Sequence, residues 1–224
     1  MNVLIVYAHP EPKSFNGAMR DLAVSTFIEL GYKVKVSDLY EMKFKAIADQ
    51  SDFWVLSNPS FFKYQIEQGK AYEKSSFSSD IMAEQEKILW ADLIIFQSPL
   101  WWFSFPAILK GWFDRVFAVG FAYGGGRMYD TGVFRGKKAM LAITTGSPAS
   151  SYTPSGKNGD INQVLFHIQH GTLSFVGLSV LPPFIAWSPS RVEQEQREGY
   201  LEDYKQRLLT LETTPNLLFS TSQL

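Results

Sequence analysis

Apolar and polar positions along the chain switch between two periods. Residues 3–7 form a short, continuously apolar run, as expected of a strand buried on both faces. After a polar loop, Phe15, Ala18, Met19, Leu22, Ala23, Phe27 and Leu30 recur at three- and four-residue steps, which predicts one apolar helix face. Gly31 supplies a stop, and residues 33–37 read as a second strand. Residues 81–91 repeat the helical pattern, with Ser79 or Asp80 as cap, and residues 93–97 form a third apolar run. Pro106 opens the next helix, whose buried face is Ile108, Leu109, Trp112, Phe113, Val116 and Phe117. Residues 139–145 predict a fourth strand. Asp160 caps a helix carrying Val164, Leu165, Ile168, Leu173 and Val176. Residues 178–187 predict a fifth strand, interrupted by Pro182-Pro183, and Ser190 to Glu193 reads as a capping box for a last helix ending near Leu209.

Five strands alternating with five helices imply an α/β fold, a parallel sheet covered on both faces. Ligands of such sheets sit beyond the carboxyl ends of the strands, at a switch point. That selects three loops: 9–16, 98–105 and 145–159. The whole chain, 1–224, reads as a single domain with a long irregular insertion at about 40–79 that packs on the surface or against a partner.

Composition narrows the chemistry. The chain has no cysteine, so thiol nucleophiles, disulfides and cysteine-held metals are excluded. A net charge of −1 argues against nucleic acid and against an anionic membrane surface as partner. No signal peptide or spanning segment is visible, so a cytoplasmic location is expected, without membrane insertion. The excess is aromatic: 18 Phe, 10 Tyr and 6 Trp, ten of them between Trp101 and Tyr129.

The first loop brings Ser14 and Asn16 to a helix N-terminus, where hydroxyl, amide and backbone N–H groups favour a phosphate. Ordinary capping by Ser14 accounts for the same residues. The loop lacks both the Walker pattern and the dinucleotide glycine fingerprint, and Gly124-Gly125-Gly126 follows a helix rather than a strand. The second loop, Pro99, Leu100, Trp101, Trp102, Phe103, Ser104 and Phe105, offers an aromatic wall suited to a planar heterocycle such as flavin, or equally to a subunit interface. The third carries Thr144, Thr145, Gly146 and Tyr152, hydroxyls and a close-approach glycine. His167 and His170 lie three apart, but with no third ligand they read as helix-surface residues, and no metal is expected.

Taken together, these segments resemble the flavin-dependent NAD(P)H:quinone oxidoreductases of the DT-diaphorase type. The resemblance rests on Tyr7-Ala8-His9-Pro10 with Ser14-Phe15-Asn16, on Ser37-Asp38-Leu39-Tyr40, and on Ala91 through Leu100 continuing to Trp112-Phe113. Thr144-Thr145-Gly146 and Gly159-Asp160 complete it. It implies a flavodoxin-like, doubly wound five-stranded sheet and a homodimer with FAD, rather than FMN, at two interface sites. His9, Ser14, Phe15 and Asn16 would hold the pyrophosphate side. Pro99 to Phe103 and Thr144 to Gly146 would line the ring, with Tyr152 at its pyrimidine end and Arg197 toward the adenine. The substrate pocket would comprise Trp102, Phe103, Asn158 and Phe175, with Tyr123 and Met128 from the partner. NAD(P)H and quinone would use it in turn, in a ping-pong hydride transfer. Tyr152 matches the family's catalytic tyrosine, while Asn158 stands where the family carries a histidine and cannot supply a proton at neutral pH. Gly125 replaces a pocket tyrosine of some members and Lys63 a glutamine near the flavin. Two other functions compete: a regulatory flavoprotein subunit of a membrane transporter, and a one-electron flavodoxin carrier, whose usual strong acidity this chain lacks.

Overall fold

The computed structural model describes residues 1–219. Among these, six strands form one parallel sheet: β1 (Asn2–Tyr7), β2 (Lys33–Asp38), β3 (Leu93–Pro99), β4 (Lys138–Thr144), β5 (Ser179–Val180) and β6 (Phe184–Ala186). Their order is β2-β1-β3-β4-β5, with β6 also on β4. The strand expected over 178–187 is therefore two. Pro182 and Pro183 have no N–H to give the ladder, so pairing with β4 lapses after Leu181 and resumes at Phe184.

Each face of the sheet is closed by the helix stripe that the periodicity predicts. On one face, Met19, Ala23 and Phe27 of α1 (Phe15–Glu29) and Tyr204 and Leu208 of α6 (Gln194–Leu209) pack on Val3, Ile5, Ile95 and Met140. On the other, α3 (Ser79–Trp90), α4 (Ala107–Val116) and α5 (Ile161–Ile168) bring Ile88, Leu109, Trp112 and Leu165 onto Leu4, Val6, Ile94 and Leu141. Between α3 and α4 the buried Glu84 carboxylate accepts from Trp112 Nε1 at 2.8 Å and Lys87 Nζ at 2.6 Å. Among the described residues, no helix is long and apolar enough to cross a membrane.

Three local expectations shift. The last helix starts at Gln194 rather than at a Ser190 box, because Ser188 is left-handed (φ 42°) and Pro189–Arg191 closes a separate 3-10 turn. The helix begun at Asp160 ends at Ile168 and widens into a π-helical turn, Gln169–Ser174. The insertion at about 40–79 contains a regular helix, α2 (Tyr64–Lys74).

That insertion is anchored by charge. Arg115 of α4, 1% exposed, donates Nε and Nη2 to Asp52 Oδ1 at 3.0 and 2.9 Å and Nη1 to Asp80 Oδ2 at 2.6 Å. Tyr64 Oη donates to the other oxygen of Asp52 at 2.7 Å; burial first, and then this bond, push the phenol above its ordinary range. Gly111 lets the backbone of Ala46 lie against α4, where a Cβ would strike the Ala46 carbonyl.

Candidate active site

The order β2-β1-β3 reverses direction at β1, so a crevice opens between the loops after β1 and β3. The register places Tyr7 opposite Gln97 and Pro99 opposite Thr144, which brings three strand ends to one rim. From that rim the loop after β3 folds into a four-residue turn. Trp101 N donates to Ser104 O and Ser104 N to Trp101 O, both at 3.0 Å. Trp102 and Phe103 between them have φ of 52° and 58°, the signature of a type I′ turn, which normally takes Asn-Gly. Two adjacent bulky residues in the left-handed region cost about 1–2 kcal/mol each. In return the turn lifts the Trp102 ring into solvent, 95% exposed, with Phe103 46% exposed beside it.

The loop after β1 starts at the same rim, where Ala8 N donates to Gln97 O at 2.9 Å. Ser14 caps α1, accepting from Gly17 N at 3.1 Å, so the capping role is real. A Cβ on Gly17 would collide with the Pro12 carbonyl, so only glycine lets this loop lie on the helix. His9 Nδ1 lies 3.0 Å from Glu11 N and 3.1 Å from Glu11 O, which fixes the ring against its own loop. Asn16 is buried; its Nδ2 donates to Thr144 Oγ1 at 2.9 Å, tying the first loop to the third. Phe15 stands edge-on to Tyr200.

Leu100 N bonds Thr144 O at 2.8 Å, and Thr145 Oγ1 donates to Ser147 O at 2.7 Å. Tyr152 is 9% exposed, its ring flanked by Phe103 at 6.4 Å and Trp187 at 5.4 Å. Trp187, unforeseen, follows β6; its only signal in the sequence is an aromatic at the carboxyl end of a strand. Asn158 donates its backbone N–H to Ser151 O at 2.8 Å, on the same loop as Tyr152. Arg197 turns inward: Nη1 donates to the Pro189 and Val192 carbonyls, and Nε and Nη2 to Gln194 Oε1.

The remaining residues gather elsewhere on the same side of the sheet. Tyr123 and Phe175, rings 5.9 Å apart, line a cavity of about 460 Å³ together with Tyr64, Gln65, Ser104 and His167. Gln65 Nε2 reaches Tyr123 Oη at 3.3 Å. Trp102 and Phe103 lie outside that lining, and Met128, 43% exposed, precedes the 3-10 turn Tyr129–Thr131. Within one chain the expected pocket is thus in two parts, joined only at Ser104 and Phe105. His170 is half-buried, stacked on Phe166 and Tyr129. Among the described residues no group of three acidic or histidine side chains is placed to hold a metal.

Residues 1–208 match the sequence profile of the flavodoxin-like fold family. The human ribosyldihydronicotinamide dehydrogenase [quinone] is 49% identical over 210 residues, covering 93% of this chain and 91% of its own. The guinea-pig (Cavia porcellus) NAD(P)H dehydrogenase [quinone] 1 is 46% identical over 222 residues, covering 99% of this chain and 81% of its own. A crystal structure of a candidate quinone reductase from Klebsiella pneumoniae superposes with a TM-score of 0.95 at 44% identity, over 98% of this chain and 88% of that one. The chain belongs to the flavodoxin-like quinone reductase family. Membership implies a flavin, and the crevice of this quinone reductase fits one. Asn16 Oδ1 is buried there without a partner among the described residues, and Gly146 faces open space where a Cβ would stand. An aromatic turn held out in a strained conformation is the third feature awaiting a planar ring.

Proposed function

We propose that this protein is a cytoplasmic homodimer that reduces quinones by two electrons at the expense of NAD(P)H, with FAD as its bound flavin. The carrying observation is the strained turn at 101–104. Strained backbone persists where the surrounding structure over-determines it and clusters at ligand clamps, and this turn presents two exposed aromatic rings in that state. His9, Ser14, Phe15 and Asn16 hold the phosphate side, and the α1 N-terminus favours its charge. Pro99 to Phe103 and Thr144 to Gly146 line the ring, and Arg197 steadies the loop beside the adenine half. A bound flavin supplies hydride chemistry that no side chain can. Tyr152, its ring held by Phe103 and Trp187, would donate its phenol hydrogen where negative charge develops, and Asn158 would add an amide donor.

Donor and acceptor follow one another against Trp102 and Phe103, with Tyr123 and Met128 added by the partner and Phe175 completing the pocket. Exposed Trp54, Val55, Phe61 and Ile66 on the insertion support an apolar subunit contact. The two relatives differ in the donor their names carry, ribosyldihydronicotinamide in one and NAD(P)H in the other, so both belong in the assay. The purified protein is expected to be yellow, to release FAD identifiable by mass, and to consume NAD(P)H when menadione is added under air. A preparation that takes up neither FAD nor FMN refutes the reading. Loss of the donor half-reaction in Tyr152→Phe tests the residue assignment.

A further inference from the structure

We infer that Gln97 is a positioning residue for the flavin: from the end of β3 it holds the first turn of α1 so that Asn16 is in place before the cofactor arrives. This rests on the flavoprotein reading above. Along β3 the residues turned toward α1 are Leu93, Ile95 and Gln97, two apolar side chains and then, at the strand end, one amide. Gln97 is fully buried. Its Nε2 donates to the main-chain oxygen of Asn16 at 2.5 Å, 81 residues away in sequence. A carbonyl can only accept, so the partner itself assigns the nitrogen end of the amide.

Filling space does not call for an amide here. Gln97 Oε1 is buried with no partner among the described residues, and methionine would occupy a similar volume without that desolvation. Nor does the Asn16 carbonyl depend on the bond, since Asn16 lies in the first turn of α1 and the helix ladder uses the same oxygen. What the bond does is fix a position. Gln97 pins the Asn16 backbone to β3, and Thr144 Oγ1, 2.9 Å from Asn16 Nδ2, pins its side chain to β4. Between those two pins Asn16 Oδ1 is left buried and unpartnered among the described residues. A Cβ on the next residue, Gly17, would strike the Pro12 carbonyl and lie 3.6 Å from Tyr7 Oη, so the turn also sits close against the end of β1. A polar group already held in its bound position costs less ordering when a ligand arrives, and affinity gains by that amount.

The test titrates the flavin that wild type takes up, expected to be FAD, into flavin-free protein and follows flavin fluorescence. Wild type is compared with Gln97→Met, Asn16→Ala and the double variant. Gln97→Met removes the tether together with the unpartnered oxygen, so its flavin-free melting temperature should stay within about 2 °C of wild type. Its flavin affinity should nonetheless fall between about two- and tenfold, the net worth of one hydrogen bond. Because Gln97 acts through Asn16, adding Gln97→Met to Asn16→Ala should weaken flavin no further. In flavin-free Gln97→Met, hydrogen exchange at the Gly17 and Ala18 amides should quicken while exchange in β1 and β4 holds.

Wild-type flavin affinity in Gln97→Met overturns the positioning role, as does a weakening that adds in full to that of Asn16→Ala. A flavin-free melting temperature lowered by more than about 5 °C, or a variant that does not fold, makes Gln97 a structural residue and overturns the role as well. Wild-type protein that takes up neither FAD nor FMN overturns the flavoprotein reading, and the role with it.

Discussion

Trp102→Asn separates the two consequences of the strained turn. Trp102 has φ 52° and is 95% exposed, so its ring makes almost no packing contact to lose. Asparagine tolerates the left-handed region far better than tryptophan, and Asn at this position of a type I′ turn is preferred. Relief of the lower bound of that strain is worth about 1 kcal/mol. For a chain of this size the flavin-free protein should melt roughly 2–4 °C higher. The same substitution removes the face on which the flavin ring stacks, worth about 0.5–1.5 kcal/mol for aromatic pairs. Flavin affinity should therefore fall by between about two- and tenfold. Calorimetry on flavin-free protein measures the first effect, and quenching of flavin fluorescence on titration the second. Trp102→Ala is the control: it keeps the Cβ in the left-handed region, so it should weaken flavin without raising the melting temperature. An unchanged or lower melting temperature in Trp102→Asn would show that the turn stores no strain. Undiminished flavin affinity would show that the ring does not stack there.

Three other substitutions probe the frame that holds the site. Arg115→Met leaves buried Asp52 with Lys45 Nζ at 2.8 Å and the Tyr64 hydroxyl as its remaining partners, so the cost should sit at about 3 kcal/mol, the low end for a broken buried pair, read as the urea midpoint; Arg115→Lys should not restore it, since one ammonium cannot span Asp52 and Asp80. Tyr204→Phe should stabilise the protein by about 1 kcal/mol, because the fully buried hydroxyl has no partner among the described residues and only its desolvation is lost; a lower urea midpoint would mean a buried water satisfies it. In Asp49, the Lys45 hydrogen bond, aided by Ser51, holds the carboxyl down at about 2. A lowered carboxyl favours the folded state above the ordinary carboxylate range, and that contribution disappears as pH falls toward 2. The stability gap between wild type and Asp49→Asn should thus be constant from pH 7 to about 5 and shrink to a small remnant by pH 2, with a gap as large at pH 2 as at pH 7 as the contrary result. Asp80 should follow the same sign: burial would raise it, but the Arg115 and Ser78 bonds outweigh burial and keep it low.

What the sequence by itself determined was everything that depends on local period and local chemistry. Continuous apolar runs mark the doubly covered strands β1, β3 and β4, and the spacing of Met19, Ala23 and Phe27 marks the buried face of α1, because a strand or helix repeats its own geometry residue by residue. Asp160 caps α5 by its own side chain, and the Pro182-Pro183 break was legible because a missing N–H is a property of the residue. The resemblance added the membership and a set of expected site residues, of which the fold brings two pairs together: Asn16 meets Thr144 across 128 residues, and Tyr152 meets Phe103. Helix α2 stayed hidden because its exposed face includes Ile66 and Tyr72 while it buries Glu67 and Gln68, an inversion of the usual stripe. Only the tertiary structure decided the left-handed pair at Trp102 and Phe103, the inward turn of Arg197, and the meeting of Ser104 with His167. Only the last joins groups distant in sequence; the turn closes locally between Trp101 and Ser104, and Arg197 bonds Pro189, Val192 and Gln194, but a residue's backbone well and a side chain's direction are chosen by packing and carry no periodic signal in the sequence.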